Sequence, residues 1–165
     1  MIVVADALPL NYLIQISCEG ALARLYEVVL VPSGVFEELR HPNAPASVRS
    51  WASEPPDWMR VHFVKAPVDS SLSMLDPGER EAIQLAEEER ADVLLIDEQR
   101  GRLEAKRRGL AVTGTLGVLL AAGKRGFIDA EASFYSLVEM STFRASVSLR
   151  ENYLARCRRL RRKSS

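Results

Sequence analysis

Asp92-Val93-Leu94-Leu95-Ile96-Asp97-Glu98-Gln99-Arg100-Gly101-Arg102 is the stretch that decides the fold. Four consecutive apolar residues end in an acid and are followed by a polar turn with two arginines. This reads as a strand buried on both faces that delivers Asp97 to the carboxyl edge of a parallel sheet. Ile2-Val3-Val4-Ala5 repeats the pattern at the start of the chain: short, continuously apolar, and ending in Asp6. In open α/β sheets ligands bind in the crevice outside the carboxyl ends of the strands, so two aspartates far apart in sequence are expected to face one crevice.

A chain of 165 residues fits one domain over 1–165 with a proper core. Its formal net charge is zero, so no global field argues for a nucleic-acid or membrane partner, and any polyanion must be met locally. Cys18 and Cys157 stand in unrelated contexts and offer no zinc spacing, which suits a reducing compartment. There is no basic stretch before an apolar core at the start and no apolar run of membrane-spanning length. The expectation is a soluble, cytoplasmic protein.

After Asp6, Pro9 with Leu10, Leu13 and Ile14 predicts a short helix. A second amphipathic segment carries Leu22 and Leu25. Val28-Val29-Leu30-Val31 predicts a buried strand stopped by Pro32. Ser33 is expected to cap the next helix, where Val35, Glu38 and Leu39 share the inward face and Glu37 points away. Pro45 opens a short helix through Val48 and Trp51. Val61-His62-Phe63 alternates like an edge strand. His41 and His62 lack a second histidine at ligand spacing and read as surface or packing residues, with a ligand or base as the alternative, and Tyr12, Trp51 and Trp58 read as core, with base stacking as the alternative.

Asp76-Pro77-Gly78-Glu79 is a helix start with an acid at the cap, proline at the first position and an acid able to reach back to the cap. Glu79 shares a face with Ile83 and Ala86, whereas Glu81 points away. Arg107-Arg108-Gly109 ends the helix after Asp97, and Leu110-Ala111-Val112 is a short strand. Gly114-Thr115-Leu116-Gly117 turns into another helix, ended by Gly126, whose first amides offer a weak anion seat. Phe127 to Leu160 is helical, with a Ser148–Glu151 capping box expected. The basic tail from Arg156 to Lys163 reads as a frayed, solvated end, with a phosphate-tracking arm as the alternative.

Asp6, Glu38, Glu79 and Asp97 thus sit at strand ends or on inward helix faces. Two carboxylates ~4 Å apart repel by about 4 kcal/mol at an effective dielectric of 20, so such a group needs protons or a cation. Hard oxygen ligands select Mg²⁺ or Mn²⁺ over zinc. A magnesium ion held by a few carboxylates plus substrate phosphate describes metal-assisted phosphodiester hydrolysis, with no side-chain nucleophile. Arg100 and Arg102, just past Asp97, are placed to bind substrate phosphates.

Asp6 with Pro9-Leu10, Val31-Pro32 with Val35 and Glu38-Leu39, Gly78-Glu79 with Ala82-Ile83, Leu94-Leu95-Ile96-Asp97 with Gly101-Arg102, and Gly114-Thr115-Leu116-Gly117 together resemble a PIN-domain protein. The resemblance covers nearly the whole chain and is to the branch related to the toxin ribonucleases of VapBC-type toxin–antitoxin pairs. It implies a three-layer α/β/α fold with a central, mostly parallel sheet and a Mg²⁺- or Mn²⁺-dependent ribonuclease. It also implies a homodimer inhibited by a small antitoxin protein. By position, Asp6, Glu38, Glu79 and Asp97 would be the catalytic metal-binding quartet and Thr115 a polar neighbour on the substrate side. The chain departs from the family in carrying Ala7 and Leu8 where a serine or threonine usually follows the first aspartate, with Asn11 a substitute. It also has glutamate rather than aspartate at 79, which reaches further.

Two other classes fit less well. A phosphoacceptor domain wants an acidic pair after the first strand and a lysine after the last, where Thr113 stands here. A dinucleotide-binding domain wants a glycine-rich loop after the first strand. The remaining rival is a non-catalytic binding module of the same fold, holding RNA or protein with a weakened metal site.

Overall fold

The structure, a computed structural model, describes residues 1–67 and 69–165. A five-stranded parallel sheet runs in the order β3-β2-β1-β4-β5. Its strands are β1 (Val3–Ala5), β2 (Val29–Pro32), β3 (Met59–His62), β4 (Val93–Leu95) and β5 (Val112–Thr113). The first three strands progress to one side of β1 and the last two lie on the other. Strand order therefore reverses between β1 and β4, where Val3 pairs with Val93 and Ala5 with Leu95. Crevices at such reversals are the usual ligand sites of open α/β sheets.

Alternation along the strands divides the core in two. Val3, Ala5, Val29, Val31 and Leu95 face one side. There they pack with α1 (Ala7–Gln15), α2 (Gly20–Tyr26), α7 (Thr115–Lys124), α8 (Ala130–Met140) and α9 (Val147–Ser164). Val4, Leu30, Leu94 and Ile96 face the other side, under α5 (Pro77–Glu88) and α6 (Gln99–Arg107). The inner faces of α3 (Ser33–Arg40) and α4 (Ala46–Ser53), with Val35, Leu39 and Val48, join the first of these cores. Both faces of the sheet are thus covered, as the unbroken apolar strands require. Trp51 and Trp58 lie against each other with ring centroids 5.8 Å apart and pack on the core.

Several local expectations are corrected. Pro32, not Ser33, occupies the cap position of α3, and Ser33 is already helical. The outward-facing role assigned to Glu81 gives way to a hydrogen bond from the Gly34 amide, 2.9 Å, so Glu81 supplies the acceptor that Ser33 does not. The last strand holds only Val112 and Thr113. The capping of α9 comes from Ser146, whose Oγ accepts from the Leu149 amide at 3.1 Å, two residues before the expected Ser148. The basic tail is no frayed end, because α9 continues to Ser164 and Arg161 pairs with Glu131 at 3.1 Å and Asp129 at 3.4 Å. Gly109 and Gly126, expected to terminate helices, do lie in the left-handed region, with φ of 80° and 72°.

Candidate functional site

Asp6 emerges where β1 stops and α1 begins. Its amide donates to the Leu95 carbonyl at 2.9 Å, extending the β1–β4 ladder one residue past Ala5 and fixing the backbone beneath the carboxylate. The residue is only 4% exposed, and burial pushes its carboxyl up to about 7. The Ala7 amide pulls the other way, while the negative charges of Glu38, Glu79 and Asp97 add to the rise. Among the described residues no cation lies within ion-pair range of it. A buried carboxylate without a cation partner is costly to ionise.

Glu38 reaches the same place from α3 and Glu79 from the first turn of α5. Gly78 lets them approach: a Cβ there would overlap Glu38 Oε1 and stand 3.4 Å from Asp6 Oδ1. Glu79 is buried, and its Oε2 accepts from the Asp76 amide at 3.3 Å, which is the expected reach back to the helix cap. Desolvation at the cleft wall raises the carboxyls of both residues, although Glu38, expected on the inward face of α3, is exposed and Glu79 is buried. Asp76 and Glu81 add to the rise at Glu38, and Asp76, Glu98 and Glu38 at Glu79.

Asp97 stands beyond the end of β4, next door to Asp6 across the sheet. Its Oδ1 accepts from the Thr115 amide at 2.8 Å and its Oδ2 from the Thr115 hydroxyl at 2.6 Å. Gly114 is glycine because a Cβ there would run into Asp97 Oδ1 and lie 2.9 Å from Arg102 Nη1. Burial raises the Asp97 carboxyl, against the two Thr115 hydrogen bonds and the charge of Arg102. Thr115 is fully buried, which leaves it no surface to offer a substrate. Arg102 donates to the Ile96 carbonyl at 2.9 Å, and Arg100, two residues earlier in α6, is exposed on a different face of the helix.

Two clefts lie at this edge, with the consecutive residues Asp97 and Glu98 lining different ones. One, of about 540 Å³, is lined by Asp6, Glu38, Asp76, Glu79 and Glu98 together with Asn11 and His41, and among the described residues by no lysine or arginine. Asp76, Glu98 and His41 were not among the expected site residues. For the two acids the signal was present in the sequence, since each directly precedes the first turn of a helix at the carboxyl edge. His41, expected at the surface, is exposed and lines the acidic cleft, where its Nδ1 accepts from the Asn43 amide at 3.1 Å. Asp97 lines the second cleft, with Arg102.

A family model described as a PIN domain matches residues 2–159. The chain belongs to the PIN-domain family. Membership points to a nuclease, and PIN domains generally use divalent metal ions. No curated protein and no solved structure matches the chain.

The donor set suits such an ion: it is all carboxylate oxygen, it includes a buried acid without a cation, and the cleft holds no competing lysine or arginine. Among the described residues, however, no three Asp, Glu, His or Cys side chains close on one point as a finished ligand cage. Mg²⁺ does not demand one, since it keeps several waters and is usually held by one or two carboxylates plus substrate phosphate. No helix among the described residues is long and apolar enough to cross a membrane.

Proposed function

We propose that this PIN domain is a Mg²⁺- or Mn²⁺-dependent endoribonuclease whose metal is held by Asp6, Glu38, Glu79 and Asp97. The observation that carries the reading is the acidic cleft at the strand-order reversal, where five carboxylates gather without a lysine or arginine among them. A bound divalent ion supplies activation of water for in-line attack and neutralises charge on the scissile phosphate. Asp6, fixed by its bond to Leu95, and Asp97, fixed by Thr115, set the spacing across the sheet. Glu38 and Glu79 complete the anionic wall from the helix side. Arg102 stands beside Asp97 to orient the phosphate, and Arg100 extends the positive edge toward solvent.

Cleavage of a labelled RNA tests this directly. It should require Mg²⁺ or Mn²⁺, stop with chelator, and vanish in Asp6→Asn and Asp97→Asn while circular dichroism is unchanged. Undiminished cleavage in those variants removes the mechanism. The finer reading, a homodimeric toxin of a toxin–antitoxin pair neutralised by a small antitoxin protein, rests on the resemblance of the motifs. It predicts growth arrest on expression, relieved by co-expression of a small neighbouring open reading frame, and a dimer by light scattering.

The absence of a closed ligand cage among the described residues favours one other reading, a non-catalytic RNA- or protein-binding PIN module. Thermal stabilisation by Mn²⁺ that is lost in Asp97→Asn is expected of a metal site and not of that module.

A further inference from the structure

On the far side of Asp97 the charge inverts. The cleft of about 520 Å³ that Asp97 enters is bounded by Arg102, Arg144, Asn152 and Arg156. It shares Gly117, Leu120 and Arg156 with a neighbouring cleft of about 350 Å³ that adds Lys124 and Arg159. The two form a continuous groove between α7 and α9, with Asp97 as its one acidic lining residue among the described residues; Glu98, next in sequence to Asp97, lines the acidic cleft. None of these five cations takes part in an ion pair among the described residues, whereas Arg161, on another side of α9, pairs with Asp129 and Glu131. Unpaired cations lining a groove are retained at a cost in mutual repulsion that a bound polyanion relieves.

We propose that the α7–α9 groove tracks the sugar–phosphate backbone of a single-stranded RNA leading away from the acidic site, with Lys124, Arg156 and Arg159 as its phosphate contacts. The assignment rests on the nuclease reading for its direction: a strand whose scissile phosphate lies at Asp97 finds the cationic cleft that Asp97 itself lines on one side and an acidic cleft on the other, and charge favours the cationic one. Arg156 and Arg159 are one helical turn apart, about 4.5 Å along the axis at ~1.5 Å per residue, so both face the groove from α9. The aromatic residues lining the groove, Phe143 and Tyr153, are 8% and 3% exposed, and Tyr153 donates its hydroxyl to the Ala130 carbonyl at 2.8 Å. They offer bases no stacking platform, so the groove reads backbone charge and not sequence.

The test measures binding of a short fluorescein-labelled oligouridine to the full chain by anisotropy, in chelator, across a salt series. Replacing Lys124, Arg156 and Arg159 together by alanine should weaken binding roughly ten-fold or more at low salt. It should also make the plot of log affinity against log salt shallower by about 2, at ~0.7 per phosphate contact on a single strand. Each single substitution should remove about a third of that slope, a readout available if the triple variant folds poorly. Arg161→Ala should bind as the parent does, and oligoadenosine should bind as oligouridine does. Equal affinity and slope in parent and triple variant would overturn the assignment. So would an equal loss in Arg161→Ala, or an oligoglutamate peptide that binds the groove more tightly than RNA. A parent that fails to cleave with Mn²⁺ yet binds with the groove-dependent slope would remove the nuclease reading and leave the groove assigned. Cleavage with no groove dependence would do the reverse.

Discussion

Both carboxylate oxygens of Asp97 are held by one residue, Thr115, through its amide at 2.8 Å and its hydroxyl at 2.6 Å. Groups that orient metal-binding carboxylates are typically worth about 10–100-fold in metal affinity or activity. Thr115→Val keeps the shape and the amide bond but loses the hydroxyl. It should lower Mn²⁺ affinity and RNA cleavage by roughly that factor, while Thr115→Ser restores most of it. A Mn²⁺ titration followed by thermal shift decides the matter, and a valine variant that titrates like the parent would count against a positioning role.

Asp6 gives the chelated protein a pH signature. Its carboxyl is raised from the ordinary aspartate value of about 3.8 to about 7 in the folded state. The folded chain therefore binds the proton more tightly than the unfolded one. The stability this contributes is fully present below about pH 4 and is lost as pH rises through about 7, by a few kcal/mol at most at about 1.4 kcal/mol per pKa unit. Asp69, Glu88, Glu104 and Asp129 are shifted downward and act in the opposite sense at lower pH, so the whole profile is composite. Subtraction removes the groups that do not touch Asp6 and leaves Asp6 with its coupling to Glu38, Glu79 and Asp97: the melting temperature of Asp6→Asn relative to the parent should climb between pH 4 and pH 7 in chelator. A difference that stays flat across that window would contradict the burial argument.

Gly78, like Gly114 beside Asp97, is a position where a methyl group alone should disable the site. Alanine suits a first helical turn, so helix propensity is not what Gly78→Ala disturbs. Its Cβ would occupy the place of Glu38 Oε1 and crowd Asp6. The expected result is a loss of metal-induced thermal stabilisation and of cleavage, with the melting temperature in chelator changed little or raised. Normal activity in this variant would show that Glu38 is not needed where it stands.

Arg108 is the centre of a separate ionic network, bridging Glu104 at 2.8 Å, Glu87 at 3.1 Å and Asp69 at 3.2 Å. It fastens the end of α6 to α5 and to the turn before it. Its own side chain is 11% exposed while two of its partners are more than a third exposed. Arg108→Met should therefore cost roughly 1–3 kcal/mol, the range for hydrogen bonds to charged groups, short of the full penalty of a buried pair. Lysine should recover only part, because it lacks the planar fork. Urea denaturation at constant slope is the measurement.

The parallel sheet and its two aspartates were legible because β1 and β4 are unbroken apolar runs ending in acids, a pattern that solvent-facing strands do not produce. Glu79 was legible through the helix start at Asp76-Pro77. The local capping details were not. Ser33 looked like a cap, but the amide of Gly34 finds Glu81 from another helix, a tertiary partner that no local rule contains. The last helix was obscured in a different way. Arg156, Arg158, Arg159, Arg161 and Arg162 mask a narrow buried seam of Tyr153, Leu154 and Cys157, and a seam that thin has little amphipathic signal. The sequence places Thr115 in the right neighbourhood, but that both its polar groups turn toward Asp97 depends on tertiary packing that no local pattern encodes.

The β1–β4 pairing joins segments that lie far apart along the polypeptide: the Ile2 amide meets Asp92 Oδ2 at 2.6 Å across a separation of 90 residues. Contacts of that range form slowly, since the entropy of ring closure comes before any reward. Asp6 and Asp97 are strangers until this closure, so their mutual repulsion opposes the joining of the central strands. Neutralising either acid should therefore quicken refolding, and the chemistry of the finished edge is written into the tempo at which the chain acquires it.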